Sequence, residues 1–155
     1  MIELEIYTDG SYDNQHNIGA WAAILFHNNE KTIISGIEAN STNNRMEITA
    51  VIKSIEFAVK TYPDLIKNTS IFSDSQYVIN LPARQAKLES QNFITNKGKE
   101  LHNTDLIKRF FQLASSYDIA LVKVKAHQKQ AETDNHNIEV DKLCRKLVRE
   151  AVKAN

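Results

Sequence analysis

The chain has 155 residues, of which 42% are hydrophobic and 25% charged, and its 19 basic and 19 acidic side chains give a net charge of zero. This composition excludes a disordered chain and is typical of one globular domain, so we expect residues 1–155 to form a single domain. A neutral total does not favour a polyanion-binding protein, and such a function would depend on local basic patches.

The sequence also limits where the protein is expected to act. Cys144 is the single cysteine, which rules out an intramolecular disulfide and suits a reducing compartment. The amino-terminal residues lack the basic start and long apolar run of a signal peptide. No apolar stretch approaches the roughly 20 residues of a membrane span. We therefore expect a cytoplasmic monomer that does not associate with membranes.

The first half of the chain predicts three strands and a long helix. The predicted strands are residues 2–8, 19–27 and 31–38. Alternation of apolar and polar residues indicates the first strand, and Asp9-Gly10-Ser11 is expected to end it. Residues 27–30 resemble a hairpin turn. The polar run 40–44 is rich in helix N-cap residues, so a helix is predicted from there to about Lys60.

The second half predicts strands alternating with helices. A strand is expected at 69–73, followed by a helix that starts at Asp74 or Ser75 and is interrupted at Pro82. The further predicted elements are a short helix with a loop in 83–102, a helix at 104–116, a strand at 119–125, a loop at 126–136 and a last helix from about Asn137. The order β-β-β-α-β-α-α-β-α predicts an α/β fold with a mixed sheet flanked by helices.

Four carboxylates fall where such a sheet could bring them together. Asp9 is expected to end the first strand and Asp74 to follow the fourth. Sites in open α/β sheets gather outside the carboxyl ends of strands. Glu47 lies early in the first long helix, and Asp141 lies in the last one. Clustered carboxylates repel one another unless a cation neutralises them, and carboxylates are ligands that Mg²⁺ prefers.

Each of these acids also has an ordinary structural explanation. An Asp after a strand usually forms a turn or caps a helix. A Glu near a helix start usually complements the helix dipole, and Asp141 alone would be a surface residue. The pattern of acids by itself therefore leaves the metal site as one hypothesis among these.

The segments around the acids carry a family resemblance. They are Thr8-Asp9-Gly10-Ser11, Thr42-Asn43-Asn44-Arg45-Met46-Glu47, Ser73-Asp74-Ser75-Gln76-Tyr77-Val78, Lys125-Ala126-His127 and Asn137-Ile138-Glu139-Val140-Asp141-Lys142-Leu143. Their order and spacing resemble those of type 1 ribonucleases H over essentially the whole chain. The resemblance implies the ribonuclease H-like fold, with a five-stranded mixed sheet. It also implies hydrolysis of the RNA strand of RNA–DNA hybrids to 3′-hydroxyl and 5′-phosphate ends.

The same resemblance implies roles for individual residues. It assigns two Mg²⁺ ions, for which Mn²⁺ is a possible substitute, to Asp9, Glu47, Asp74 and Asp141. It makes His127 the loop histidine credited with proton transfer or product release. The implied substrate-binding residues are Gly10, Ser11, Thr42, Asn43, Asn44 and Gln76. The amides suit this role because the 2′-hydroxyl, which distinguishes RNA from DNA, both donates and accepts hydrogen bonds.

The chain departs from the family pattern in four places. The Gly/Pro-rich turn after the first acid is replaced by residues 12–17, which leaves the contacts of Tyr12 and Gln15 open. Ala126 replaces a glycine. The loop from His127 to Asp141 is long, at 141 − 127 = 14 positions. His136 in this loop could compete with His127, although we expect His136 to be an exposed loop residue without a role.

The fourth departure is residues 81–103, which we name the handle segment. Many bacterial relatives carry a basic, Trp-bearing insertion here. The handle segment has four basic and two acidic side chains, a net charge of 4 − 2 = +2, and no Trp. We expect it to bind nucleic acid weakly and to leave affinity to the amides and to the basic face of the last helix. That face, formed by Lys142, Arg145, Lys146, Arg149 and Lys153, could equally be a solvated surface.

Two other functions remain as alternatives. One is a DNA-cutting enzyme of the same fold, which would not need the amides that suit a 2′-hydroxyl. The other is a non-catalytic nucleic-acid-binding protein, which would be expected to have lost an acid, whereas all four are present.

Overall fold

The computed structural model describes residues 3–125 and 132–154. Five strands form one sheet in the order β3-β2-β1-β4-β5. They are β1 (Leu4–Asp13), β2 (Ile18–His27), β3 (Glu30–Ala39), β4 (Thr69–Ser73) and β5 (Ala120–Lys123). The first three pair antiparallel, and β4 lies parallel to both β1 and β5. The expected five-stranded mixed sheet is confirmed.

The described residues also form five helices. They are α1 (Asn43–Thr61), α2 (Gln76–Ile79), α3 (Leu81–Ser90), α4 (Thr104–Tyr117) and α5 (Glu132–Ala154), and a 3₁₀ turn at Ile66–Asn68 precedes β4. The expected break near Pro82 falls at Asn80, and Pro82 lies in the first turn of α3, where its missing N–H costs nothing.

The core is divided by the sheet. On one face, apolar residues of α1 and α4 pack against Leu4, Ile6 and Ile71. On the other face, Val140 and Cys144 of α5 pack against the central strands. Each fully buried aliphatic side chain contributes about 1.5–3 kcal/mol, so both layers hold their helices firmly on the sheet.

Several boundaries differ from the sequence predictions, among them β5, which is shorter than the predicted strand at 119–125. Two of the differences bear on the site. β1 does not end at Asp9 but continues to Asp13, because residues 9–13 pair with residues 18–22 of β2. That antiparallel ladder outweighs the local turn preference of Asp9-Gly10-Ser11. The last helix begins at Glu132, five residues before the expected start. His136 lies on it, with its ring 4.3 Å from that of Phe26 and 5.0 Å from that of Tyr7, and this packing favours the additional helical turn.

No helix within residues 3–125 and 132–154 is long and apolar enough to cross a membrane.

Candidate active site

Asp9 and Asp74 lie next to each other at one end of the sheet. Tyr7 of β1 and Phe72 of β4 are the last pair in the register of these parallel strands, and each acid lies two residues beyond it. Asp74 follows the carboxyl end of β4, as expected. Asp9 is within β1, with its side chain only 3% exposed. The two acids therefore lie side by side, although Asp74 follows the end of its strand and Asp9 lies within its strand.

Glu47 reaches the same place from α1. Thr42 caps this helix, and its Oγ1 accepts a hydrogen bond from the backbone N–H of Arg45 at 3.0 Å. Gly10 of β1 makes the close crossing possible, because a Cβ atom there would overlap the backbone of Met46 and Glu47. This close approach directs the Glu47 side chain to Asp9.

The three carboxylates form one compact group. One carboxylate oxygen from each of Asp9, Glu47 and Asp74 lies within 4.8 Å of the corresponding oxygens of the other two. Burial, and then the charge of Asp74, raise the pKa of Asp9. Burial, and then the charge of Asp9, raise the pKa of Glu47. The backbone N–H of Gly10 only partly offsets both effects.

This group fits a divalent cation. Glu47 Oε2 is buried and has no hydrogen-bond partner among the described residues. Clustered carboxylates, of which Asp9 and Glu47 have raised pKa values, are a set of oxygen ligands that a hard cation would neutralise. The residues present could therefore hold a metal ion.

Asp141 lies outside this group of three. Its Oδ2 accepts a hydrogen bond from Arg145 Nη2 at 2.5 Å, one helical turn further along α5. It is still close enough for its charge to add to the effects of burial and of Asp74 on the pKa of Asp9. The structure thus brings three of the four predicted ligands together. It places the fourth, Asp141, nearby, where it is paired with Arg145.

The predicted substrate-binding residues surround the acids at the same end of the sheet. Thr42, Asn43 and Asn44 are exposed at the start of α1, and Gln76 is exposed at the start of α2. Gly10 and Ser11 follow Asp9 in β1 and are half-buried. The exposed amides could therefore contact a ligand that is bound at the carboxylates.

Comparison with known proteins agrees with this geometry. The sequence model of the RNase H family matches residues 2–149, nearly the whole chain. The protein belongs to the ribonuclease H family. It is therefore a hydrolase of that family, as the motifs indicated.

Curated relatives are similar along nearly their whole length. Ribonuclease H of Thermoanaerobacter sp. (strain X514) is 34% identical over 154 residues, which cover 98% of this chain and 91% of the relative. Ribonuclease H of Wolbachia sp. subsp. Drosophila simulans (strain wRi) is 33% identical over 150 residues, which cover 96% and 97%.

Solved structures share the fold. The solution structure of the PFV RNase H domain has a TM-score of 0.74 at 24% identity and covers 96% of both chains. The structure of the foamy viral protease-reverse transcriptase in complex with dsDNA has a TM-score of 0.76 at 22% identity and covers 95% of this chain and 94% of that one.

The two candidate histidines of this ribonuclease H-family chain have different outcomes. His127 lies outside the described residues, so its role stays a prediction. The expectation that His136 is an exposed loop residue is wrong. His136 lies in α5, packs on Phe26 and Tyr7, and has its Nδ1 3.7 Å from Glu139 Oε1.

Cys144 supports the site from beneath. It is fully buried, and its Sγ donates a hydrogen bond to the Asp9 carbonyl oxygen at 3.3 Å. Burial, and then the nearby carboxylates, raise the pKa of this thiol, which keeps it neutral. The contact with Asp9 is one that helical spacing alone could not indicate.

Sequence reasoning missed two polar networks around the predicted amides. Arg45, next to Asn44, donates both to Asp105, at 2.7 and 3.1 Å, and to Asn103 Oδ1 at 3.4 Å. Asn103 in turn donates to the Tyr77 hydroxyl at 3.3 Å. The second network joins Lys123 of β5 to Gln76. Both depend on long-range pairing, of which the linear sequence carries no local signal.

Proposed function

We propose that this protein is an endonuclease that hydrolyses the RNA strand of RNA–DNA hybrids. The observation that carries the proposal is the group of three carboxylates with oxygens within 4.8 Å of one another, bordered by exposed amides. A phosphodiester is an anion, and it could not approach these carboxylates without a cation between them. Metal-assisted phosphodiester hydrolysis is therefore the chemistry that the site favours.

The cofactor in this proposal is a pair of Mg²⁺ ions, with Mn²⁺ as a possible substitute. Asp9, Glu47 and Asp74 would hold them, and Asp141 would complete the set. The chemistry that bound divalent ions would supply here is activation of a water and stabilisation of the leaving oxygen. Cleavage would leave 3′-hydroxyl and 5′-phosphate ends. His127 would assist proton transfer or product release.

Substrate selection in the proposal depends on side chains that both donate and accept hydrogen bonds. Asn43, Asn44 and Gln76 have this property and are exposed. A 2′-hydroxyl offers a matching donor and acceptor, which a deoxyribose lacks. Thr42 at the start of α1 would contact a phosphate of the DNA strand. Gly10 and Ser11 would lie along the RNA strand beside Asp9.

We further propose that the protein acts as a single-domain monomer in the cytoplasm. The single cysteine permits no intramolecular disulfide, as suits a reducing compartment.

The experiment uses four labelled duplexes of one sequence. They are an RNA–DNA hybrid, a DNA duplex, an RNA duplex, and a DNA duplex that contains a single ribonucleotide in one strand. Each is incubated with and without Mg²⁺, and the product ends are identified. We expect Mg²⁺-dependent cutting of the RNA strand of the hybrid and none of the DNA duplex. Cutting of the DNA duplex alone would support a DNA-cutting enzyme of this fold. Hybrid binding without cutting would support a non-catalytic protein.

A further inference from the structure

Lys123 occupies the edge of the site formed by β5. In the parallel register of β4 and β5 it pairs with Ser73, the residue before Asp74. The backbone N–H of Val124 donates to the Ser73 carbonyl oxygen at 2.9 Å, which extends this pairing by one residue. Lys123 therefore lies one position from the carboxylate group, although none of the recognised segments contains it.

The Lys123 side chain is directed to the Gln76 amide. Its Nζ donates a hydrogen bond to Gln76 Oε1 at 2.5 Å, across 47 residues of sequence. At the other end of the amide, Gln76 Nε2 donates to Asn80 Oδ1 at 2.6 Å. The three side chains form a chain of hydrogen bonds along the exposed surface of α2.

This arrangement determines which way the amide points. A lysine ammonium has only donors, so the atom that faces it has to be the carbonyl oxygen of Gln76. The amino group of Gln76 then faces Asn80. One lone pair of Oε1 and one hydrogen of Nε2 remain for a ligand, in a fixed orientation.

An exposed glutamine would otherwise rotate about three bonds and lose that freedom on binding. A side chain that is oriented beforehand loses less entropy when the ligand binds. Lys123 and Asn80 therefore hold Gln76 ready for a contact that needs both a donor and an acceptor.

We propose that Lys123 is a positioning residue for RNA-strand recognition, which acts by fixing the orientation of the Gln76 amide. This inference rests on the proposed function, since Gln76 is there a reader of the 2′-hydroxyl. It assigns a substrate-recognition role to β5. The alternative for an exposed lysine at this position is an independent contact with a phosphate.

The test is steady-state hybrid cleavage by Lys123→Met, Lys123→Arg, Gln76→Ala and the Lys123→Met/Gln76→Ala double variant. Lys67→Met is the matched control, because Lys67 is exposed at the opposite end of β4. We expect Lys123→Met to raise KM roughly fivefold, as for loss of one modest polar contact, and to leave kcat within about twofold. Lys123→Arg should restore a KM close to that of the wild type, and Lys67→Met should leave it unchanged.

The double variant separates positioning from direct contact. If Lys123 acts through Gln76, the double variant has the KM of Gln76→Ala, because the two effects are not independent. A KM that multiplies the two single effects would overturn the inference. The inference would also be overturned if Lys123→Met reduced the log–log slope of hybrid affinity against salt concentration by about 0.7–0.9. A reduction of that size is expected when one phosphate contact is lost.

The remaining outcomes are also decisive. A wild-type protein that leaves the hybrid uncut would overturn the proposed function and this inference with it. A wild-type protein that cuts the hybrid, with Lys123→Met unchanged in KM, would overturn the role of Lys123 alone.

Discussion

A Cβ atom at Gly10 would lie 2.5 Å from the backbone nitrogen of Glu47, closer than any side-chain-bearing residue allows. Strand β1 and helix α1 therefore touch backbone to backbone at the point where both supply a carboxylate. The glycine is required here for space and not for an unusual backbone angle.

Gly10→Ala should move α1 away from β1 and separate Glu47 from Asp9. We expect a loss of stability of about 1–3 kcal/mol, as for other overpacked sites, together with weaker Mg²⁺ binding. Thermal unfolding and Mg²⁺ titration by calorimetry measure the two effects. Gly98→Ala is the control, because a Cβ there meets no atom within 4 Å but its φ of +77° disfavours alanine. It should lose stability without losing Mg²⁺ affinity. Unchanged Mg²⁺ binding in Gly10→Ala would contradict the role of this crossing.

Asp74→Asn should have opposite effects on activity and on stability. Loss of a charged ligand at the metal site should slow hybrid cleavage on the order of 10³-fold or more. Hybrid binding should persist, because the repulsion of phosphates decreases. Asp64→Asn, an exposed change near the opposite end of the sheet, should leave cleavage unchanged. Cleavage by Asp74→Asn at a near wild-type rate would show that Asp74 is not a ligand.

The stability effect of Asp74→Asn follows from the raised pKa values. Burial and then neighbouring charge raise the pKa of Asp9 and Glu47 in the folded, metal-free protein above their ordinary values near 4. The folded state thus holds protons that the unfolded state releases, so stability is highest below pH 4 for these groups and is lost as pH rises through the raised values. Asp74→Asn removes one of the charges responsible. At pH 7 without metal, its Tm should rise by roughly 3 °C, which corresponds to about 1 kcal/mol. A Tm that falls or stays constant, in scans from pH 4 to 8, would contradict this origin of the shifts.

His136 and His127 should affect different properties. The His136 ring packs on Phe26 and Tyr7, so His136→Ala should lower stability by about 1–2 kcal/mol and leave kcat within about twofold. His127→Ala should slow turnover without abolishing it, as expected of a helper in proton transfer. Paired unfolding and single-turnover measurements separate the two. If His136→Ala lost more turnover than His127→Ala, His136 and not His127 would be the histidine that assists the reaction.

The sequence predicted the elements of this fold better than their ends. Strand β4 was predicted at its observed residues, because a short apolar run bounded by polar residues is a local signal. The end of β1 was wrong, since residues 9–13 are held by pairing with β2 and not by their own preference. The predicted start of α5 was also wrong. His136 packs on the sheet, and this tertiary contact has no local signal in the sequence.

In the site, too, residues with a local sequence signal were predicted and contacts formed on folding were not. Asp9, Glu47 and Asp74 were identified by the segments around them, and the structure brings them together. The pairing of Asp141 with Arg145 and the contact of Lys123 with Gln76 were not predicted. The first is a pair four residues apart on one helix, which the spacing could have indicated. The second joins residues 47 positions apart, and it depends on which side chains face each other after folding.

The handle segment differs structurally from a strong nucleic-acid-binding surface. Phe93 is its single aromatic residue, and that side chain is only 8% exposed, with Lys108 Nζ 5.0 Å from the centre of its ring. It cannot offer a face on which a base could stack. By contrast, Lys142, Arg145, Lys146 and Arg149 of α5 together line one surface depression of about 410 Å³.

Hybrid affinity should therefore depend more on α5 than on the handle segment. Neutralisation of phosphates dominates non-specific affinity, and each contact adds roughly 0.7–0.9 to the log–log salt slope. We expect Lys146→Ala/Arg149→Ala to weaken hybrid binding and flatten its salt dependence by one to two contacts, whereas Lys97→Ala/Lys99→Ala changes both little. Arg145 is kept because it bonds to Asp141. The measurement is the hybrid dissociation constant at several salt concentrations, in Ca²⁺ to suppress cleavage. A flatter slope and weaker binding in the Lys97/Lys99 variant alone would show that the handle segment, despite its buried aromatic residue, is the main binding surface.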